Sequence, residues 1–159
     1  MNDMKKILLF LLMTFVFYSF IQAQPSYSPG PDVYTCKGGA IATIVANREL
    51  NATELANTDY AFFNPSGQYY YLGIKTSDII GGYTAYYNCH AYAWHLTEGN
   101  SNQVWINQGT NAGNISTYWS GNYACFVGCN TESAAEKIHY YSGDHSAIKS
   151  SVAGKYDSK

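Results

Sequence analysis

Cys89 and His145 are the two residues whose types and surroundings best suit covalent chemistry. Cys89 follows Asn88, a favoured helix N-cap residue, and apolar residues then recur at helical spacing. The pattern predicts that Cys89 opens a helix, where the positive end of the helix dipole favours a thiolate. His145 begins a segment of alternating character that is typical of a strand. Its imidazole is therefore a candidate for the base that a thiol nucleophile needs.

The predicted helix combines the cysteine with apolar residues on one face. Positions i, i+3, i+4 and i+7 are Cys89, Tyr92, Ala93 and Leu96, and Gly99 follows as a helix terminator. The thiol therefore shares the inward face, and its own backbone N–H is the natural donor to an oxyanion in acyl transfer. The alternative is a packed cysteine without a chemical role, because free cysteine is among the most buried residue types.

The C-terminal segments are predicted to position the histidine. Residues 136–141 and 145–149 alternate in character and predict a β-hairpin. A turn then leads to a further strand, which makes Asp157 a candidate to orient His145 by accepting its second ring proton, with Asn111 and Gln108 as weaker alternatives. Asp144 is disfavoured for that role, because neighbouring side chains on a strand point to opposite faces.

The first half of the chain predicts short elements. Residues 40–46 form a β-branched run that predicts a strand, and residues 68–74 predict an aromatic strand or extended segment. Asn51 and Glu54 have the spacing of a capping box, and the helix that they begin is predicted to end near Asn57. A helix that carries a cysteine, followed by strands that carry a histidine, indicates an α+β fold with the helix packed on an antiparallel sheet.

The two ends of the chain and its charge define its organisation and exclude some partners. Residues 1–23 combine lysines with an apolar run, as in a secretory signal peptide, which predicts a secreted or periplasmic protein. Residues 24–35, rich in proline and serine, are predicted to form an extended leader, and residues 36–159 a single domain. The net charge of −2 and the absence of a basic run argue against nucleic acid as a partner and against membrane binding after signal cleavage.

Four cysteines in an exported chain permit disulfides. If Cys89 is a free nucleophile, at most one bridge can form among Cys36, Cys125 and Cys129, and the pairing stays open. The histidines and cysteines lack the spacing that is typical of zinc ligands, so neither a metal nor another cofactor is predicted.

Aromatic residues are abundant, with 16 tyrosines among 159 residues. Partly exposed aromatic faces are typical of grooves that bind glycans or peptides. Tyr83, Tyr86, Tyr87 and Trp94 lie close to Cys89 in sequence and are the candidate lining of such a groove. The same composition fits the alternative of a secreted binding module in which the cysteine is inert.

The region from Asn88 to Ile148 resembles the CHAP amidases and their relatives among the papain-like bacterial cysteine hydrolases of the cell-wall peptidase superfamily. The matching segments are Asn88–Trp94, Tyr118–Trp119 and Asp144–Ile148. The resemblance implies a papain-like fold with an N-terminal cysteine-bearing helix, Cys89 as nucleophile and His145 as base. It also implies hydrolysis of amide bonds, commonly in peptidoglycan peptides, and a domain shortened at its C-terminus. A secreted effector or toxin with the same chemistry is a further alternative.

Overall fold

The computed structural model describes residues 24–79, 81–129, 131–140 and 144–159, and the signal peptide predicted over residues 1–23 lies outside them. The described chain has an α+β fold with two α-helices, several short 3-10 turns and three small antiparallel sheets. None of the helices in these residues is long and apolar enough to span a membrane.

Two two-stranded sheets form the first part of the described chain. Strand β1 (Tyr27–Pro29) pairs with β4 (Ile44–Ala46), and β2 (Val33–Tyr34) pairs with β3 (Ala40–Ile41). The segment predicted as an extended leader therefore supplies two strands. It also places Val33 in the hydrophobic core.

The single strand predicted over residues 40–46 is wrong, because the chain is interrupted between β3 and β4. At the interruption, the carbonyl oxygen of Ala42 accepts hydrogen bonds from the Nδ2 atoms of Asn111 (2.8 Å) and Asn114 (2.6 Å). Side-chain amides thus satisfy a backbone group that a continuous strand would have paired in its ladder.

Helix α1 (Ala52–Phe63) begins as the capping box predicts. The Asn51 side chain accepts hydrogen bonds from backbone N–H groups of the first turn, and the Glu54 carboxylate accepts one from the backbone N–H of Asn51 (2.7 Å). The predicted end near Asn57 is wrong. Nothing between Asn57 and the end of α1 breaks a helix, and the helix stops shortly before Pro65.

The strand or extended segment predicted over residues 68–74 is also wrong. The backbone N–H of Tyr69 donates to the carbonyl of Ala61 (2.9 Å), so the chain folds back on α1 and forms a 3-10 turn at Tyr70–Leu72. The turn ends at Gly73, whose φ of 68° is a conformation that glycine adopts without strain.

The second half contains the cysteine-bearing helix and the largest sheet. Helix α2 (Cys89–Trp94) is preceded by four strands and by α1, so it is not the first helix of the described chain. Strands β5 (Lys137–Tyr140), β6 (His145–Lys149) and β7 (Tyr156–Asp157) form an antiparallel sheet in the order β5-β6-β7. The predicted hairpin and the strand that follows it are confirmed, and α2 packs against β6.

The hydrophobic core lies where α2 meets the first strands and the turns over residues 104–118. Its buried members are Val33, Ile41, Ala91, Ala93, Trp94, Val104, Ile106, Ile115 and Tyr118. A disulfide joins Cys36 to Cys125, across 89 positions of the chain, whereas Cys89 and Cys129 are free.

Candidate thiol site at the start of the second helix

The start of α2 is fixed by Asn88, as the sequence predicts. The Oδ1 atom of Asn88 accepts hydrogen bonds from the backbone N–H groups of Ala91 (3.0 Å) and Ile106 (3.3 Å), and its Nδ2 atom donates to the carbonyl of Ile106 (2.7 Å). One buried amide therefore caps the helix and ties it to a core segment. Cys89 follows directly, with a free and partly buried thiol.

The buried hydroxyl of Ser146 is the centre of the contact between α2 and the sheet. It accepts a hydrogen bond from Nε1 of Trp94 (2.9 Å) and lies 2.8 Å from Nδ1 of His90 and 3.2 Å from Nδ1 of His139. The Nε2 atom of His90 lies 3.3 Å from Oδ1 of Asp144, which favours a proton on Nε2. His90 Nδ1 then accepts the Ser146 proton, and His139 donates to the same hydroxyl oxygen.

Asp144 is held by Asn107 at the start of β6. The Nδ2 atom of Asn107 donates to Oδ1 of Asp144 (2.6 Å), and its Oδ1 atom accepts from the backbone N–H of Gly113. Both Asn107 and Asp144 have positive φ, a conformation that these two residue types tolerate better than most. The carboxylate therefore meets the ring of His90 from the end of the strand.

His145 is held on the side of its ring that carries Nε2. This atom lies 2.6 Å from the Oγ of Ser158, and the Ser158 hydroxyl also lies within hydrogen-bond distance of the carbonyl of Ser146 (2.9 Å). Asp157, the predicted orienting residue, lies on β7 opposite Ile148. The contact with the histidine ring comes from the next residue, Ser158.

Cys89 lies at the same end of β6 as His145. Its thiol is within reach of the backbone N–H of Ser146, which lowers the pKa of the thiol, and of the Asp144 charge, which raises it. These two residues flank His145 in the chain. Among the described residues, no hydrogen bond joins the thiol directly to the His145 ring. Such bonds are often long in a site without substrate.

Burial decides the protonation of both side chains. Desolvation raises the pKa of Cys89, and the backbone N–H groups of Ser146 and His90 offset this only in part. Desolvation also lowers the pKa of His145, against the opposite effect of Asp144. The resting pair is therefore a neutral thiol and a neutral imidazole. The thiolate predicted from the helix start is not favoured, because the six-residue α2 cannot outweigh burial.

Two of the four predicted groove residues lie together beside this site. Tyr83 and Tyr87 line a cavity of about 320 Å³. Tyr86 is placed by a hydrogen bond from its backbone N–H to the hydroxyl of Thr84 (3.1 Å). Trp94 is a core residue with 5% exposure, and it borders a different, larger cavity of about 650 Å³.

Several residues of the site were not anticipated from the sequence. Ser146 and His139 are partners in the hairpin register, so the predicted hairpin could have indicated that they lie side by side. No local signal marked Ser158 or Lys159, since their contacts join segments more than ten positions apart.

Within the described ranges, no group of three or more histidine, cysteine, aspartate or glutamate side chains is arranged to hold a metal ion. No protein-family model matches the chain. The comparisons with curated proteins and with solved structures likewise find no match. Support for a function therefore comes from the residues of the site themselves.

Proposed function

We propose that this protein is an exported cysteine amidase or peptidase with a papain-like arrangement, in which Cys89 and His145 cleave amide bonds by acyl transfer. The observation that carries the proposal is the free thiol at the capped start of α2, within reach of the Ser146 backbone N–H and the Asp144 charge, which belong to the two residues that flank His145. Peptidoglycan peptides are the favoured substrates, because the segments around both residues resemble those of the CHAP amidases. The disulfide between Cys36 and Cys125 supports an exported protein, since such bonds persist in oxidising compartments.

The hydrogen bonds of Ser158 favour His145 as the base. A hydroxyl has one proton, and the Ser158 proton is directed at the carbonyl of Ser146. The Ser158 oxygen then accepts the proton on Nε2 of His145, which leaves the lone pair of Nδ1 free. In this tautomer the ring is prepared to take a proton from the Cys89 thiol. Ser158 is thus the orienting residue of the proposed site.

The reaction proceeds from the neutral pair. The thiol proton moves to Nδ1 of His145 as the sulfur forms a bond with the amide carbonyl carbon. The backbone N–H of Cys89 stabilises the oxyanion. The Nδ1 proton then passes to the leaving amine, which breaks the carbon–nitrogen bond and leaves a thioester. Water hydrolyses this thioester with His145 again as the base, and the free thiol is restored.

The decisive experiment follows the release of new amino groups from a pool of peptidoglycan stem peptides. We expect release by the unsubstituted protein and by Cys129→Ser, which removes the other free thiol. Cys89→Ser and His145→Ala should each lower the rate by about 100-fold or more. Mass spectrometry of the quenched reaction should detect an acyl group on Cys89. Unchanged release by Cys89→Ser contradicts the proposal.

The cavity of about 650 Å³ favours one second candidate, a module that binds glycans or peptides through aromatic side chains. Trp119, Phe126, His139 and Tyr140 all line it, and Trp119 packs on His139 with ring centroids 5.3 Å apart. Titration of peptidoglycan fragments while tryptophan fluorescence is recorded distinguishes the candidates. Binding without release of amino groups, unchanged in Cys89→Ala, favours the module.

A further inference from the structure

The ammonium group of Lys159 contacts the backbone of the segment that precedes Cys89. Its Nζ atom donates to the carbonyl oxygens of Thr84 (2.6 Å) and Tyr87 (3.0 Å), and lies 4.6 Å from the centre of the Tyr87 ring. An ammonium group has three N–H donors. Two of them are thus used by backbone carbonyls, and one remains for a ligand.

Within the part of the chain that the structure describes, this partly buried ammonium has no ion-pair partner. No aspartate or glutamate carboxylate of the described residues lies within ion-pair distance of Nζ. Among the charged groups, Glu49 has the largest effect on the pKa of Lys159. The Glu49 carboxylate nevertheless accepts its hydrogen bonds from Thr84, Ala85 and Leu50. Burial lowers the pKa of Lys159 to about 8. An unpaired charge that is partly withdrawn from water is costly, and a ligand carboxylate would remove that cost.

Lys159 lies in the wall of the cavity of about 320 Å³ beside the proposed catalytic pair. Tyr92 lies in the same wall, one helical turn after Cys89, and so does Ser158, which contacts the ring of His145. The negative charge of a Cys89 thiolate raises the pKa of Lys159, so the two groups are close enough to interact. Asp78 also lines the cavity, but its carboxylate accepts the backbone N–H of Lys75 (2.9 Å).

We propose that this cavity is a substrate subsite for a carboxylate carried close to the scissile amide, and that Lys159 is its specificity-determining residue. The inference rests on the proposed function, since it deepens the description of the same site. The tyrosine walls contact the apolar part of the acyl group, while the third N–H of Lys159 binds its carboxylate. The preferred substrates are therefore anionic peptides, and their neutral amide counterparts are poor substrates.

The test compares two reagents that differ only in the group of interest. Iodoacetate carries a carboxylate and iodoacetamide a neutral amide. In both, the sulfur loses its proton and displaces iodide from the same methylene carbon. The ratio of the two alkylation rates is measured by peptide mapping for Cys89 and for the exposed Cys129 of the same molecule. The thiolate fraction cancels in each ratio. We expect the ratio of iodoacetate to iodoacetamide to be at least about tenfold higher at Cys89.

Variants and pH assign this preference to Lys159. Lys159→Met should lower the Cys89 ratio to that of Cys129, and Lys159→Arg should keep most of it. In the unsubstituted protein, whose folding is not at issue, the preference should fade above pH 8, as Lys159 loses its proton. A lysine with an ordinary pKa would keep the preference to about pH 10.

The outcomes separate this inference from the proposed function. Equal ratios at Cys89 and Cys129 overturn the carboxylate subsite, whether or not peptides are hydrolysed. Failure of both reagents at Cys89 also overturns it, since the cavity then does not open onto the thiol. A carboxylate preference in a protein that releases no amino groups supports the carboxylate subsite and contradicts the proposed hydrolase activity.

Discussion

The two helices of the described chain are stabilised in opposite ways. Helix α1 has 12 residues and buries none of its side chains, whereas α2 has six residues and buries four of them. Isolated helices of either length are marginal in water. Local contacts support α1, namely the capping box and the Arg48–Glu54 ion pair (2.8 Å). Helix α2 depends on packing against the core and β6.

This difference explains where a chemical site can form. Helix α1 is held by segments close to it in sequence, at its capped start and where the chain folds back on Ala61. Side chains of α2 are fixed by the Ser146 hydroxyl, and the start of the helix is fixed by Asn88, so the residue that carries the thiol is held in place. Disruption of the packing around α2 should therefore affect both stability and the reactivity of Cys89, whereas changes in α1 should affect neither strongly.

The largest expected effect is the loss of the indole that joins α2 to the sheet. Trp94→Ala should lower the free energy of unfolding by about 3–5 kcal/mol, since it leaves a cavity and removes the donor to Ser146. Tyr60→Ala in α1 is the matched control. Loss of this exposed side chain should change the free energy of unfolding by no more than about 0.5 kcal/mol. Urea denaturation measures both. Equal losses would contradict the contrast between the helices.

The disulfide should be the next largest contribution. Cys36→Ser removes a link between positions 89 residues apart and should lower the free energy of unfolding by about 2–5 kcal/mol. Cys129→Ser, at the exposed free thiol, should leave it unchanged. The comparison is made by urea denaturation without reductant. Addition of reductant should then destabilise the unsubstituted protein but not Cys36→Ser.

The two N-cap asparagines allow the same substitution in both helices. Asn51→Ala should lower the free energy of unfolding by about 1 kcal/mol, which is typical of the loss of a helix N-cap. Asn88→Ala should cost about 2–3 kcal/mol, because the buried amide also bonds the backbone of Ile106. Only Asn88→Ala should change the alkylation rate of Cys89. An equal cost at both caps would show that the bonds to Ile106 contribute nothing.

Mild acid should produce the smallest loss of stability, and only where α2 packs against the sheet that carries His139 and His145. Burial lowers the pKa of His90, His139 and His145, so the folded state binds fewer protons than the unfolded state below a pH of about 6.5. The stability that these neutral histidines contribute is complete above that pH. It is lost as the pH falls through their lowered pKa values in the folded state. At the start of α1, Arg48 lowers the pKa of Glu54 to about 2, so the Arg48–Glu54 ion pair persists in mild acid.

Hydrogen exchange at several pH values tests this prediction. Amides of α2 should lose protection as the pH falls below about 6.5, after correction for the intrinsic exchange rate, while those of α1 keep theirs. A uniform change in both helices would indicate that the histidines do not couple to the local packing.

The sequence predicted the elements whose signals are local. The start of α2 at Cys89 follows from the asparagine cap and the helical spacing, and the hairpin of β5 and β6 follows from alternation. The capping box predicted where α1 begins, but its end required knowing that no residue before Pro65 stops it. These signals lie within one or two turns of the residues that they position.

The remaining features depend on contacts between distant segments. Strand alternation gave a reason to set Asp144 aside, yet a positive φ and the amide of Asn107 direct it to His90. The effect of burial on the thiol also required the packed core, because the local helix signal alone predicts a thiolate. Likewise, nothing local in the sequence indicates that Lys159 reaches Thr84.

The most direct test of the proposed site is the rate of Cys89 alkylation by iodoacetamide in the unsubstituted protein and in His145→Ala, with Cys129 as the internal reference. If His145 takes the thiol proton as the bond to sulfur forms, the Cys89 rate at neutral pH should fall by about tenfold or more in His145→Ala. The Cys129 rate should stay the same. An unchanged Cys89 rate would contradict the proposed pair.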